Sequence, residues 1–266
     1  VIYKLESKDG SVFIGRIVSK DSLNIEFVTL SNAQIKLSRS QVVSMSAVAP
    51  EDIREGKYWF PNPNATRYFF GPTAFPLKRG EGYYQNTYLL LNSVNVGVTD
   101  NISIGGGFEL ISLFSSGSGG PIFFLTPKVG FKVTEKFHAG GGMYVMSIPD
   151  VFNDGRENLG ILYGVGTVGN ANSNATLGMG WGFSFEGESS DSPIITLSGM
   201  HRVSRKTALV TENWFVQSDV GYYGIYSYGV RFFGEKVSVD LGFLNNADIM
   251  EGILIGVPYV DFVVKF

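Results

Sequence analysis

The chain has 266 residues, a formal net charge of −3, 34 glycines, 14% aromatic and only 17% charged residues, with a slightly positive mean hydropathy. That length accommodates one large all-β domain or a barrel with a small appendage, and the charge content is low for an ordinary soluble domain. The acidic balance without a basic stripe excludes nucleic acid as a partner. With no cysteine there is neither a disulfide nor a thiolate metal site, and no apolar run reaches the about 18 residues of a spanning helix, so any membrane crossing must be made by strands.

Val1 to Leu5 lacks a basic region followed by an apolar stretch, so the chain reads as a mature or trimmed form. Residues 1–48 predict a small module of short strands, Ile2–Glu6, Val12–Val18, Leu23–Leu30, Ala33–Leu37 and Val42–Ala47, separated by turns at Lys8-Asp9-Gly10, Ser19-Lys20-Asp21-Ser22 and Ser31-Asn32. Its phrasing, Asp9-Gly10, then Gly15, Ile17, Asp21, Ile25 and Thr29, is similar to Sm-like or SH3-like barrels. Residues 49–64, with Trp59, Phe60, Pro61 and Pro63, read as a linker whose aromatics mark a membrane interface.

From residue 65 to 266 the sequence predicts an antiparallel up-and-down barrel of about twelve strands. Five short turns, Thr99–Asn101, Thr134–Lys136, Asn170–Asn174, Ser204–Lys206 and Gly234–Lys236, alternate with longer segments, Leu77–Gly82, Ser115–Gly120, Pro149–Glu157, Glu186–Ser192, Gln217–Gly221 and Asn245–Gly252. The first strand is placed at about Thr66 to Pro76, although Pro72 and Pro76 cannot donate to a ladder. In the seventh, Leu177, Met179, Trp181, Phe183 and Phe185 share one face while Thr176, Gly178, Gly180, Gly182 and Ser184 share the other. The same alternation sets Ile102, Ile104, Phe108, Leu110 and Phe114 against Ser103, Gly105, Gly107 and Glu109, and Val237, Val239, Leu241 and Phe243 against Ser238 and Asp240. Large aromatics on one face with glycine and charge on the other leave little bulk to fill a soluble core, so the greasy face is expected to meet lipid; Trp181, Phe183, Tyr226, Tyr228, Phe262 and Val264 belong to it.

The last strand puts Val260, Phe262, Val264 and Phe266 on one face and finishes on an aromatic. This resembles the C-terminal signal by which bacterial outer-membrane proteins are read by the barrel-assembly machinery. The run Arg67-Tyr68-Phe69-Phe70-Gly71-Pro72-Thr73-Ala74-Phe75-Pro76, followed by Gly97-Val98-Thr99-Asp100-Asn101-Ile102-Ser103-Ile104-Gly105, resembles uncharacterised outer-membrane barrel proteins of Bacteroidota. The resemblance implies a Gram-negative outer-membrane location in contact with membrane lipid and lipopolysaccharide, with the N-terminal module in the periplasm. It brings no catalytic motif.

The residues offer no strong chemistry of their own, and no cofactor or metal is expected. His138 and His201 are scattered. His201 with Ser204 raises lipid hydrolysis as a distant alternative, and Asp150, Asn153, Asp154 and Glu157 raise a calcium site that solvated acidic loops mimic. The glycine clusters 105–107 and 140–142 open strands rather than helices, so they read as strand bends and small lumen residues, not phosphate loops. The inward parity collects Glu109, Lys128, Lys132, Arg231, Asp240 and Asp261, which either pair across a narrow lumen or line a polar pore. The expected function is therefore a non-enzymatic, porin-like channel or transport component, the alternative being a structural or assembly subunit that docks a periplasmic or outer-membrane partner through the module.

Overall fold

The computed structural model describes residues 1–114, 120–150, 155–218, 221–253 and 255–266, and the chain divides into two compact units, Val1–Pro61 and Asn62–Phe266.

In the first unit β1 (Ile2–Ser7), β2 (Val12–Lys20), β3 (Asn24–Thr29), β4 (Gln34–Ser38) and β5 (Val42–Val48) form one antiparallel sheet in the order β4-β3-β2-β1-β5. Leu5, Ile25 and Phe27 make its core, with Tyr3, Phe13, Ile17, Leu37 and Val42 packed around them. The first turn works because Gly10 takes a φ of 82°, open to glycine without a steric cost, while the Asp9 carboxylate accepts the Ser11 N–H at 3.0 Å. Residues 49–61 are not featureless: β6 (Ile53–Arg54) and β7 (Lys57–Tyr58) pair as a small hairpin, and the Arg54 guanidinium lies 4.6 Å from the Trp59 ring centroid.

The second unit is a closed antiparallel barrel. Its segments are β8 (Gly82–Thr87), β9 (Leu91–Gly97), β10 (Ile102–Glu109), β11 (Phe123–Leu125), β12 (Lys128–Lys132), β13 (Phe137–Asp150), β14 (Gly155–Asn170), β15 (Ser173–Ser184), β16 (Ile194–Ser204), β17 (Thr207–Ser218), β18 (Gly221–Phe233), β19 (Val237–Asn245) and β20 (Val257–Lys265). These thirteen segments make twelve staves, because β11 and β12 both lie between β10 and β13. Closure comes from β20 pairing with β8, Lys265 opposite Tyr83 through Asp261 opposite Thr87. A short helix, α1 (Ala247–Gly252), sits in the connection before β20, its Asn246 side chain accepting the Ile249 N–H.

The number of strands agrees with the sequence reading, but the first two are placed differently. Residues 66–76 form no stave; the stretch read as one strand across 83–98 is instead two, β8 and β9. The turn between them was invisible because Tyr88 and Leu89, neither a turn former, take φ of 56° and 64°. Two successive positive φ values give the type I′ turn that hairpin twist favours, usually with Asn-Gly. The longer segments 149–157 and 217–221 also shrink, since β13 runs to Asp150 and β14 begins at Gly155, while β17 ends at Ser218 and β18 begins at Gly221.

The period of two sorts side chains as expected. Val94, Ile104, Phe131, Met143, Leu162, Leu177, Leu197, Leu209, Tyr228, Leu241 and Phe262, one from each of eleven consecutive staves, are exposed on the outside. Thr167, Thr176, Ser198, Glu212, Ser227, Arg231, Ser238, Asp240 and Asp261 are buried on the inside. A soluble domain distributes its side chains the other way, so the outer belt is built for hydrocarbon.

Candidate functional site: a filled lumen

The segment missing from the wall is in the lumen. Asn62 anchors its entry at the turn-bearing rim, its amide donating to the Ala171 carbonyl at 2.6 Å. The chain then makes a tight reversal, Thr73 N–H to Thr66 O at 3.0 Å and Tyr68 N–H to Gly71 O at 2.9 Å, and leaves through Leu77. Pro72 and Pro76 bar it from a ladder, and its remaining polar groups are met by inward side chains of the staves.

Three charged side chains of the wall grip it. Glu212, fully buried on β17, accepts the N–H groups of Phe69 (2.9 Å), Phe70 (3.0 Å) and Gly71 (2.9 Å), and the Trp214 indole N–H at 2.7 Å. Arg231, on β18, is held by Asp240 on β19 through two 2.7 Å bonds, Nε to Oδ1 and Nη2 to Oδ2. Its Nη1 and Nη2 also donate to the carbonyls of Asn64 (2.6 Å) and Tyr68 (2.7 Å). Lys128 donates its Nζ to the carbonyls of Thr66 (3.0 Å) and Phe75 (2.8 Å). The segment answers with a cation of its own: Arg67 Nη2 donates to Asp261 Oδ1 at 2.6 Å. Asp261 Oδ2 further accepts Thr87 Oγ1 (2.8 Å), Gln85 Nε2 (2.8 Å) and Tyr259 OH (3.1 Å).

This arrangement resolves a like-charge conflict. Asp240 and Asp261 are directly opposed on neighbouring staves, a placement that repels in a buried site unless each is neutralised. Arg231 neutralises one and Arg67 the other, so one of the two cations the wall needs is supplied by the plug.

Hydroxyls and aromatics complete the fit. Tyr68 OH bonds Asn174 Oδ1 and Thr176 Oγ1, both at 2.7 Å; Thr167 Oγ1 accepts the Ala74 N–H at 2.7 Å; Tyr144 OH donates to Phe70 O at 2.7 Å. Phe69 packs on Tyr259 with ring centroids 4.8 Å apart. Inward glycines make the room: a Cβ on Gly130 would strike the Ala74 carbonyl oxygen, and one on Gly242 would sit 3.2 Å from the Phe69 ring.

Of the inward charges expected from parity, Arg231, Asp240, Asp261 and Lys128 converge on the plug. Lys132 and Glu109 do not, because each is the last residue of its strand, β12 and β10, and stands at a rim. Lys132 pairs with Glu135 in solvent at the turn rim, 2.7 Å apart with the side chains 54% and 88% exposed. Glu109 caps the start of the next connection, accepting the N–H of Ile111 (2.9 Å) and of Ser112 (2.7 Å). Glu212 and Arg67 were missed. Glu212 shares its inward face with buried Ala208 and Val210, whose apolar character masked the polar parity; Arg67 was hidden by the strand assignment of its segment.

The proposed hydrolytic pair is not assembled. His201 Nδ1 lies 2.9 Å from Ser173 Oγ across the β15–β16 ladder, whereas Ser204 Oγ accepts the Lys206 N–H at 3.2 Å as a turn former. His138 packs on Phe75, centroids 4.7 Å apart. Asn153 and Asp154 of the suggested calcium loop lie outside the described residues, and among the described residues no three His, Cys, Asp or Glu side chains converge on a metal position. The terminal-strand residues Val260, Phe262 and Phe266 are exposed and Val264 is half-buried, alternating with buried Tyr259, Asp261 and Val263.

No family model and no curated protein matches the chain. Among solved structures it is similar to the NanC porin, at 6% identity and TM-score 0.43 over 70% of this chain and 97% of that one. It is also similar to OmpT, an outer-membrane protein of Vibrio cholerae. The form lacking loop L8 matches at 13% identity and TM-score 0.36, over 100% of this chain and 96% of that one, and the outer-membrane-expressed form at 12% and 0.35, over 100% and 94%. At these values nothing about activity passes from them to this chain.

Proposed function

We propose that this protein is an outer-membrane barrel of the transport class, closed at rest by its own segment 62–77, and that it acts without a catalytic group. The observation that carries this reading is the plug itself, held by Glu212, Arg231 and Lys128 from the wall and by Arg67 toward it. A lumen filled for structural bulk alone needs no reversible electrostatic grip, since apolar replacements of buried ion pairs are often as stable or more so. The exposed apolar belt supports the membrane location, and the gathering of the short turns at one rim supports a periplasmic side there, with the first unit on it.

The test combines fractionation with conductance. The protein should follow outer-membrane lipid and show heat-modifiable migration. In a planar bilayer the wild type should be nearly silent, while Arg67→Ala combined with Glu212→Gln should give frequent openings. A detergent-independent soluble monomer, or steady conductance of the wild type, overturns the reading. A second reading, a subunit that docks a periplasmic protein, draws on Val18, Leu23 and Val43, apolar residues left exposed on the N-terminal module. Partners recovered by gentle pull-down and lost in Val18→Ser/Leu23→Ser would favour it.

A further inference from the structure

Beside the plug a cavity of about 220 Å³ is enclosed by the segment and by staves β8–β14. Its lining changes character with depth. At the deep end Lys128 stands opposite Ser103, with Thr126 Oγ1 donating to Asn95 Oδ1 at 3.2 Å close by. Toward the loop-bearing rim the lining includes Leu91, Phe124 and Met146, with Phe124 opposite Gly107 and Met146, so this part of the wall offers apolar surface.

Among the described residues Lys128 holds no anion, unlike the two arginines that meet the plug. Arg67 and Arg231 each hold an aspartate, whereas among the described residues Lys128 has two plug carbonyls and no carboxylate. An ammonium carries three donors, so one remains for a ligand.

The wall is lowest beside this cavity. Strands β8, β9 and β10 have 6, 7 and 8 residues, fewer than the about 9–11 that carry a strand across hydrocarbon. By contrast β13 and β14 have 14 and 16. The connections over the low wall present Leu89, Ile111 and Phe114 to the outside. The lip is therefore greasy where the wall is too short, and Leu91 of the cavity lining opens β9 just behind it.

Resting on the barrel-and-plug reading above, we infer that this cavity binds a single-chain amphipathic carboxylate that enters from the bilayer over the β8–β10 lip, its carboxylate on Lys128 and its chain against Leu91, Phe124 and Met146. A small hydrophilic anion would satisfy Lys128 but leave this apolar surface without a partner.

The test uses the full chain in nanodiscs of zwitterionic lipid, titrated with decanoate carrying carbon-13 at the carboxyl and followed by NMR. Saturable binding is expected, weakened about ten- to hundredfold by Lys128→Met, since a charge-assisted hydrogen bond is worth roughly 1.5–3 kcal/mol. Lys132→Met at the rim should bind as wild type, and decanol and acetate should both bind more weakly. Leu91→Trp, which fills the apolar end of the cavity and keeps the charge, should also abolish binding, and it carries the test should Lys128→Met fail to fold. The inference is overturned by equal decanoate binding in wild type and Lys128→Met, by acetate matching decanoate, or by no saturable binding to a wild type that migrates as a folded barrel and does not conduct. In the last case the barrel reading stands and the ligand site alone falls.

Discussion

Replacing Arg231 with Met removes a cation that is fully buried together with its partner. Asp240 then loses both 2.7 Å bonds and faces Asp261 across the β19–β20 ladder, while the Asn64 carbonyl loses the Arg231 donor and the Tyr68 carbonyl keeps only Arg67 of its two. Breaking a buried pair from one side costs about 3–5 kcal/mol, and the lost bonds to the plug carbonyls push the total toward the upper end. Replacing both partners, Arg231→Met with Asp240→Leu, removes the stranded charge as well. Only the plug contacts are then missing, about 1–3 kcal/mol. The double variant should thus be more stable than Arg231→Met alone by about 2 kcal/mol, and its cost should fall short of the sum of the two single costs, which a double-mutant cycle reads. Urea unfolding in nonionic micelles, read from the fraction that keeps the folded, heat-modifiable migration, measures all four proteins. A single variant within about 0.5 kcal/mol of wild type, or a double variant as unstable as the sum of its parts, refutes the buried-pair account.

Other outcomes follow from the same geometry. On the outer belt, Leu177→Arg at a side chain 60% exposed near the middle of β15 should cost about 2–4 kcal/mol; Phe183, opposite Gly160 near the loop end of the strand, should cost less, and equal effects would contradict the placement of the belt. Gly130→Val drives a side chain onto the Ala74 carbonyl, so it should lower stability by about 1–3 kcal/mol and raise bilayer conductance; silence with full stability would show that the plug does not pack there. In the first unit, the backbone N–H groups of Asn24 and Leu23, each 2.7 Å from Asp21 Oδ1, hold that carboxyl below its ordinary value. A depressed folded-state value means this contribution is present above the unfolded pKa, near 3.9, and is lost as pH falls through the folded one. Carboxyl carbon-13 titration of Asp21 should give a midpoint below that of an unstructured aspartate; a midpoint at or above it would contradict the turn geometry.

Much of the barrel was legible because strand periodicity is a local property. From Ile102 to Glu109 and onward from Phe137 the alternation of Ile, Leu and Phe with Gly, Ser and charge set the faces, while Leu110 and Phe114 fell beyond the strand end, and turns such as Asn170–Asn174 announced themselves through residues that cap their own backbone. The opening of the barrel was not legible. Arg67 to Pro76 alternates well enough to pass for a strand, and what excludes it is tertiary: Glu212, Arg231 and Lys128 offer its backbone partners that no lipid-facing wall position could. With that strand removed, the twelfth stave had to come from splitting 82–97 at Tyr88-Leu89, where the I′ turn is imposed by closure rather than by turn-forming residues. The charged interior was half visible for the same reason. Parity found Arg231, Asp240 and Asp261, but Arg67, which completes their neutralisation, belongs to a segment whose position no periodicity encodes.

The central claim, that segment 62–77 occupies the lumen, is tested most directly by locking it there. Asn64 Nδ2 donates to Ser238 Oγ at 3.1 Å and both residues are buried, while the chain contains no cysteine of its own. Asn64→Cys with Ser238→Cys should form a disulfide in outer membranes under mild oxidation, seen as a mobility shift that reductant reverses, and the locked protein should stay silent in a bilayer. Failure of the pair to cross-link, while the thiol introduced by Asn64→Cys reacts with a membrane-impermeant reagent, would place the segment outside the barrel and contradict the account.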